Sequence, residues 1–117
     1  MEWIVPANRD LYEHEDAFNK LPYIDWTQDC NYDVGDRVYI YTSTPYHKIE
    51  YLVEVIKTDI KSTSNDFQDD KVFWKDLSKY NEGIAKDRFA RFKLLYKFYH
   101  DAITYEELKK HGLLGLH

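Results

Sequence analysis

Indole, phenol and hydroxyl side chains are concentrated between Trp26 and Asp59, where they could hold a flat polar ring. Trp26 begins this stretch, two segments with strand-like alternation follow, and Ser43 lies at the turn between them. Aromatic faces stack on nucleobases, and hydroxyl and amide groups hydrogen-bond to base edges. The pattern therefore predicts a pocket for a base that is single-stranded or flipped out of a duplex.

The side chains predicted to bind the base also have ordinary structural explanations. Trp26 suits a stacking platform and a core position equally well, whereas Trp74 lies in an apolar triplet that favours the core. Ser43 precedes a Thr-Pro turn, and Asn8 could serve only to begin a helix. The predicted base-binding residues are Trp26, Ser43, Asn8, Thr42, Tyr41 and Trp74.

The net charge of −5 argues against a broad phosphate-binding surface, because proteins that bind nucleic acid through phosphates usually carry a basic excess. The clearest basic run lies between Lys86 and His100, so phosphate contacts are expected to be local. The predicted phosphate-binding residues are Arg88, Arg91, Lys93 and Lys48.

The sequence offers little for catalysis or metal binding. Cys30 is the only cysteine, the five histidines form no i, i+4 pair, and no glycine-rich phosphate loop is present. We therefore expect a non-catalytic chain with no metal and no cofactor. The aromatic surplus and acidic charge leave open a second function, as a protein-interaction or structural domain.

Strand and helix patterns alternate along the chain, which predicts an α/β fold of the α+β type: a small mixed β-barrel of about five strands flanked by helices. The segment 58–70 is polar and predicts a mobile insertion, 71–75 a short strand or helical turn, and 76–83 an irregular stretch. The predicted strands are 2–6, 37–42, 49–56 and 88–99, and the predicted helices are 11–20 and 104–110.

The order of these segments resembles the EVE domain of the PUA-like superfamily, whose relatives include the YTH readers. The resemblance rests on Trp3-Ile4-Val5-Pro6-Ala7-Asn8, on Trp26 with its polar follow-on, and on Val34-Gly35-Asp36 leading into the strand that ends at Ser43. Val53-Glu54-Val55 and the segment 104–112 complete it. The residues after Trp26 are Thr-Gln-Asp, whereas EVE proteins have a Gly-Val-Arg-Asn-like run.

This resemblance implies a barrel with an aromatic pocket for a modified, flipped-out base of DNA or RNA, and a fused or separate nuclease as partner. Related barrels also include hydrolases of modified nucleosides, for which Lys48, Thr42 and Glu54 would be the candidate residues. Residues 1–117 are expected to form a single domain, compatible with the N-terminal module of a longer protein. Without a secretory signal or a membrane span, the expected location is cytoplasmic.

Overall fold

The computed structural model describes residues 1–8, 11–42, 48–98 and 103–104. Ser43 and the predicted helix beyond Thr104 lie outside these residues. The elements, in chain order, are β1 (Glu2–Ala7), α1 (His14–Lys20), β2 (Ile24–Thr27), β3 (Arg37–Thr42), β4 (Lys48–Ile60), a 3₁₀ turn (Lys71–Phe73), α2 (Leu77–Lys86), β5 (Phe89–Lys97) and β6 (Ile103–Thr104).

One mixed sheet with the strand order β1-β3-β4-β5-β2 forms the framework. β1 pairs with β3 in parallel, the other pairs are antiparallel, and β6 pairs with the beginning of β4. β4 is the longest strand, and its pairing with β5 shifts register at three points. Such irregularities increase local twist, so the sheet curls into a half-barrel with β1 and β2 at its two edges. The predicted mixed barrel with flanking helices is confirmed.

The core forms on one face of the two central strands. Val38 and Ile40 of β3 are fully buried with Val53 and Val55 of β4, while Phe92 joins them from β5. These residues follow the period of two that predicts the hairpin, whose central position in the sheet is confirmed. A second apolar cluster, formed around Tyr12, Ala17, Ile24 and Phe73, lies where α1 and the 3₁₀ turn pack beside β2.

The predicted irregular stretch at 76–83 is wrong, because it forms most of α2. The Asp76 side chain accepts hydrogen bonds from the backbone N–H groups of Ser78 and Lys79, which caps the first turn. Asp87 ends the helix in a left-handed conformation with a φ of 51°. None of its residues is buried, but Leu77, Tyr80 and Ile84 recur at i, i+3 and i+7, so the segment carries a short apolar stripe typical of an amphipathic helix.

Three element boundaries also differ from expectation. β1 continues through Pro6, which is tolerated because β1 is an edge strand. α1 begins at His14 instead of Leu11, because Tyr12 forms a β-bridge with Trp74. β4 runs on to Ile60, and the rest of the predicted insertion is held against the sheet by contacts between Asp66 and Arg91.

Candidate functional site

Two cavities lie along the seam between β1 and β2, the two edges of the curled sheet. The larger cavity, of about 180 Å³, is lined by the end of β1, by β2, by the segment that precedes α1 and by α2. The smaller, of about 110 Å³, lies between β1 and the loop after β2. Pro6, Trp26, Thr27 and Asp29 line both, so the two cavities adjoin along one crevice.

Aromatic side chains form much of the wall of the larger cavity. Tyr12 lies between the two indoles, with its ring centroid 6.2 Å from that of Trp26 and 4.9 Å from that of Trp74. Tyr80 of α2 continues the wall, 6.3 Å from Trp74. The polar side chains of the lining are Asn8, His14, Asp25, Thr27, Asp29 and Asp70.

Trp26 serves the core and the cavity together. Its ring stacks on Phe92 with centroids 5.8 Å apart and an angle of 27° between the planes, and it packs against both apolar clusters. It is only partly buried, and the rest of its surface lines both cavities. The sequence alone leaves core and stacking platform as alternatives; in the structure Trp26 packs in the core and also lines the cavities.

A buried carboxylate, Asp70, organises one side of the larger cavity. The Tyr12 hydroxyl donates to its Oδ2 at 2.8 Å, and the Trp74 indole Nε1 donates to its Oδ1 at 3.1 Å. Burial raises the pKa of Asp70 to about 6, against the lowering effect of these two hydrogen bonds. Burial, and then the charge of Asp70, raises the pKa of the Tyr12 hydroxyl.

The other two carboxylates of the lining are each paired with a cation. Asp25 is fully buried and accepts two hydrogen bonds from the Arg91 guanidinium, at 2.8 and 3.1 Å. Asp29 is exposed and lies 3.5 Å from the Lys86 ammonium group. Asp25 also accepts from the backbone N–H of Gln68, so it ties β2 to β5 and to the loop that follows β4.

The structure brings together three of the six predicted base-binding residues, because Asn8, Trp26 and Trp74 all line the larger cavity. Thr42 is buried, and neither it nor Tyr41 lines either cavity. Tyr41 packs in a separate cluster around Ile4 and Ile49. Ser43 is outside the described residues.

The predicted phosphate-binding residues are dispersed. Arg91 is buried, holds Asp25 and Asp66, and its guanidinium lies 4.0 Å from the centroid of the Tyr23 ring, so it has a structural role. Arg88 binds the Asp59 carboxylate at 2.7 Å and the Asn31 side chain at 2.8 Å. Lys93 is exposed on β5. Lys48 is the first residue of β4, where its backbone pairs with β3.

The residues proposed for a hydrolase are not assembled. Lys48 and Glu54 are six residues apart on β4, which corresponds to about 20 Å at roughly 3.3 Å per residue. Within the described part of the chain, no group of three or more His, Cys, Asp or Glu residues could hold a metal ion. No helix among these residues is long and apolar enough to cross a membrane.

Tyr12, Asp70 and Tyr80 line the cavity but do not stand out in the sequence. Tyr12 and Asp70 are 58 positions apart, and a carboxylate in a polar segment is ordinarily solvated. One local signal was available: Trp74 follows Asp70 by four positions, and its indole N–H reaches back to the carboxylate.

Two solved structures share this architecture. An NMR structure of Rpa0253 from Rhodopseudomonas palustris is 18% identical with a TM-score of 0.57, over 93% of this chain and 70% of the other. The crystal structure of ASCH from Zymomonas mobilis is 11% identical with the same TM-score, over 93% of this chain and 77% of the other. The fold is PUA-like. No protein-family model and no curated protein matches the sequence.

Proposed function

We propose that this chain binds a single nucleobase of DNA or RNA in the larger seam cavity, as a non-catalytic recognition module. The observation that carries the proposal is the convergence of Trp26, Trp74 and Asn8, which are distant in sequence, on one cavity. Indole faces stack on bases of any sequence, and a side-chain amide can hydrogen-bond to a base edge.

The size of the cavity fits one base with its sugar and phosphate outside. At about 180 Å³ it is smaller than the roughly 300–1,000 Å³ of pockets that enclose drug-sized ligands. A base must leave a duplex or belong to a single strand to enter such a site. Lys86, which pairs with Asp29 at the edge of the cavity, is a cation placed to meet a neighbouring phosphate.

The resemblance to EVE domains extends the proposal to a modified base and to a nuclease, fused or separate, that uses this chain for specificity. The PUA-like fold supports this extension only at the level of architecture, because a fold hosts many functions. The cavity supplies the chemical argument, since its aromatic walls would add contact area for a base enlarged by a methyl group.

Fluorescence titration tests the proposal, because the chain has three tryptophans and only two line the cavity. Trp3 donates instead to Asp36 and packs edge-on against Tyr32. We expect short single-stranded oligonucleotides to quench the parent, and the Trp3→Phe variant to retain this quenching. Trp26→Phe and Trp74→Phe should each lose part of it. If no oligonucleotide quenches the parent, the proposal fails and a protein partner becomes the better explanation.

A further inference from the structure

The charges around the larger cavity are unbalanced at one residue. No Lys or Arg side chain is found among the described residues that line it, and its three carboxylates are Asp25, Asp29 and Asp70. Arg91 neutralises Asp25 and Lys86 pairs with Asp29, but Asp70 receives hydrogen bonds only from neutral groups, Tyr12 and Trp74. The buried negative charge of Asp70 therefore lacks a cation in the described structure.

We infer that the ligand of this cavity is a positively charged, methylated nucleobase, with Asp70 as its counter-ion and the Trp26 and Trp74 indoles as its aromatic walls. This inference rests on the proposed function and specifies the class of base.

Two effects favour a cationic ring at this position. The face of an indole is electron-rich and attracts a cation more strongly than a neutral ring of the same shape. A carboxylate that is buried without a cation is poorly stabilised, and a ligand that carries the missing charge restores the balance. Tyr12 and Trp74 also fix the orientation of Asp70, since each holds one of its two oxygens.

The polar lining favours a base over a quaternary ammonium group, which aromatic walls and a carboxylate could also attract. A quaternary ammonium has no N–H with which to donate a hydrogen bond to Asp70. A methylated purine or pyrimidine cation retains an amino group beside its charge, so it can donate a hydrogen bond to a carboxylate oxygen. Each oxygen of Asp70 can accept a second hydrogen bond.

Pairs of methylated nucleosides that have nearly the same size but differ in charge can test whether the cavity prefers a cation. 1-Methyladenosine is a cation at pH 7 and N6-methyladenosine is neutral, and the two differ only in the position of the methyl group and in the proton that carries the charge; 3-methylcytidine and 5-methylcytidine form a second pair. We expect calorimetric titration to show the cation of at least one pair binding about tenfold more tightly than its neutral isomer. Trimethyl-lysine serves as the probe for the quaternary ammonium alternative.

The variant Asp70→Asn removes the charge and preserves the packing, because an amide can accept from Trp74 and donate to the Tyr12 hydroxyl oxygen. We expect the preference for the cation to fall to about twofold or less in this variant. Asp33→Asn, which removes an exposed carboxylate that lines neither cavity, should leave the preference unchanged.

The outcomes separate the two proposals. If neutral bases bind as tightly as their cationic isomers, the inference fails and the proposed function stands. If no nucleoside or oligonucleotide binds, both fail. Binding of trimethyl-lysine without binding of either cationic nucleoside would also overturn both, in favour of a peptide ligand.

Discussion

Trp26 joins the core to the proposed site, and this double role predicts how its substitutions behave. Trp26→Ala would leave a cavity beside Phe92 and Tyr12 and should lower the free energy of unfolding by about 3 kcal/mol. Trp26→Phe should keep most of the packing and lose stacking area. Denaturant unfolding of both variants checks this. A loss below about 1 kcal/mol for the alanine variant would place Trp26 outside the core.

The ionised form of Asp70 should lower the free energy of unfolding, because burial raises its pKa to about 6 in the folded chain. A carboxyl whose pKa is raised on folding adds stability at pH values below its unfolded pKa, and this contribution is lost as the pH rises through the folded value. Between about pH 4 and 6 the parent should therefore lose stability that Asp70→Asn retains. Thermal midpoints should favour the variant more at pH 7.5 than at pH 4.5; a constant difference would contradict the prediction.

The same carboxyl predicts that binding depends on pH. A cationic nucleoside should bind progressively more weakly as the pH falls below about 6, because protonation removes the charge of Asp70. The other titratable groups around it are Tyr12, Asp69, His14, which contacts the Tyr12 ring, and Tyr80, whose hydroxyl donates to Asp69. Calorimetry across pH 5–8 should give a flat profile for Asp70→Asn, whereas a sloping profile would contradict the assignment of this titration to Asp70.

At the level of residues, the sequence led to Trp26, Trp74 and Asn8, because an indole face can stack on a base and a side-chain amide can hydrogen-bond to its edge. The sequence could not predict the hydrogen bond between Tyr12 and Asp70. This contact forms only because the segment that precedes α1 packs against the 3₁₀ turn. For Arg91 the sequence predicted a phosphate-binding role, whereas in the structure it binds two carboxylates. Its neighbours in sequence suggest a basic surface, but its partners Asp25 and Asp66 come from other elements.

The elements around the site are held by the buried pair of Arg91 on β5 and Asp25 on β2. Arg91→Ala would leave the Asp25 charge buried without its partner, so we expect a loss of about 3–5 kcal/mol in the free energy of unfolding. Lys93→Ala, an exposed change on the same strand, should alter it by no more than about 0.5 kcal/mol. Chemical denaturation measures both. Similar small losses in the two variants would restore Arg91 as a candidate for phosphate binding.

α2 approaches β2 closely at Gly83, where an added Cβ would lie 3.0 Å from Thr27 Oγ1. Alanine in a helix interior is normally more favourable than glycine by about 0.5–1 kcal/mol. We expect Gly83→Ala to show this gain in a Thr27→Ala background and less of it in the parent, because the hydroxyl obstructs the new methyl group. A double-mutant cycle measures the difference, and additivity within about 0.3 kcal/mol would contradict the close approach.

At the scale of the whole molecule, the sequence predicts the strands better than it predicts the curvature of the sheet that they form. The alternation of apolar residues predicts the central hairpin, because successive side chains of a strand point to opposite faces of the sheet. The residues that show it are Val38, Ile40, Val53 and Val55. The seam arises from how far a bulged sheet curls and how near this brings β1 to β2, which no local pattern encodes. The cavity lies at that seam, so its existence could not be deduced before the fold was known.

The distribution of charge over the molecule predicts weak dependence of binding on salt. The chain carries a net charge of −5, Arg91 is occupied by Asp25 and Asp66, and Arg88 is held by Asp59 and Asn31. A protein that neutralises few phosphates releases few counterions, so log K should fall with log salt with a slope of about −2 or shallower. Oligonucleotide titrations from low to moderate salt measure this slope, and Lys86→Ala should flatten it further. A slope of about −4 or steeper would mean that phosphates dominate binding, which contradicts recognition centred on one base.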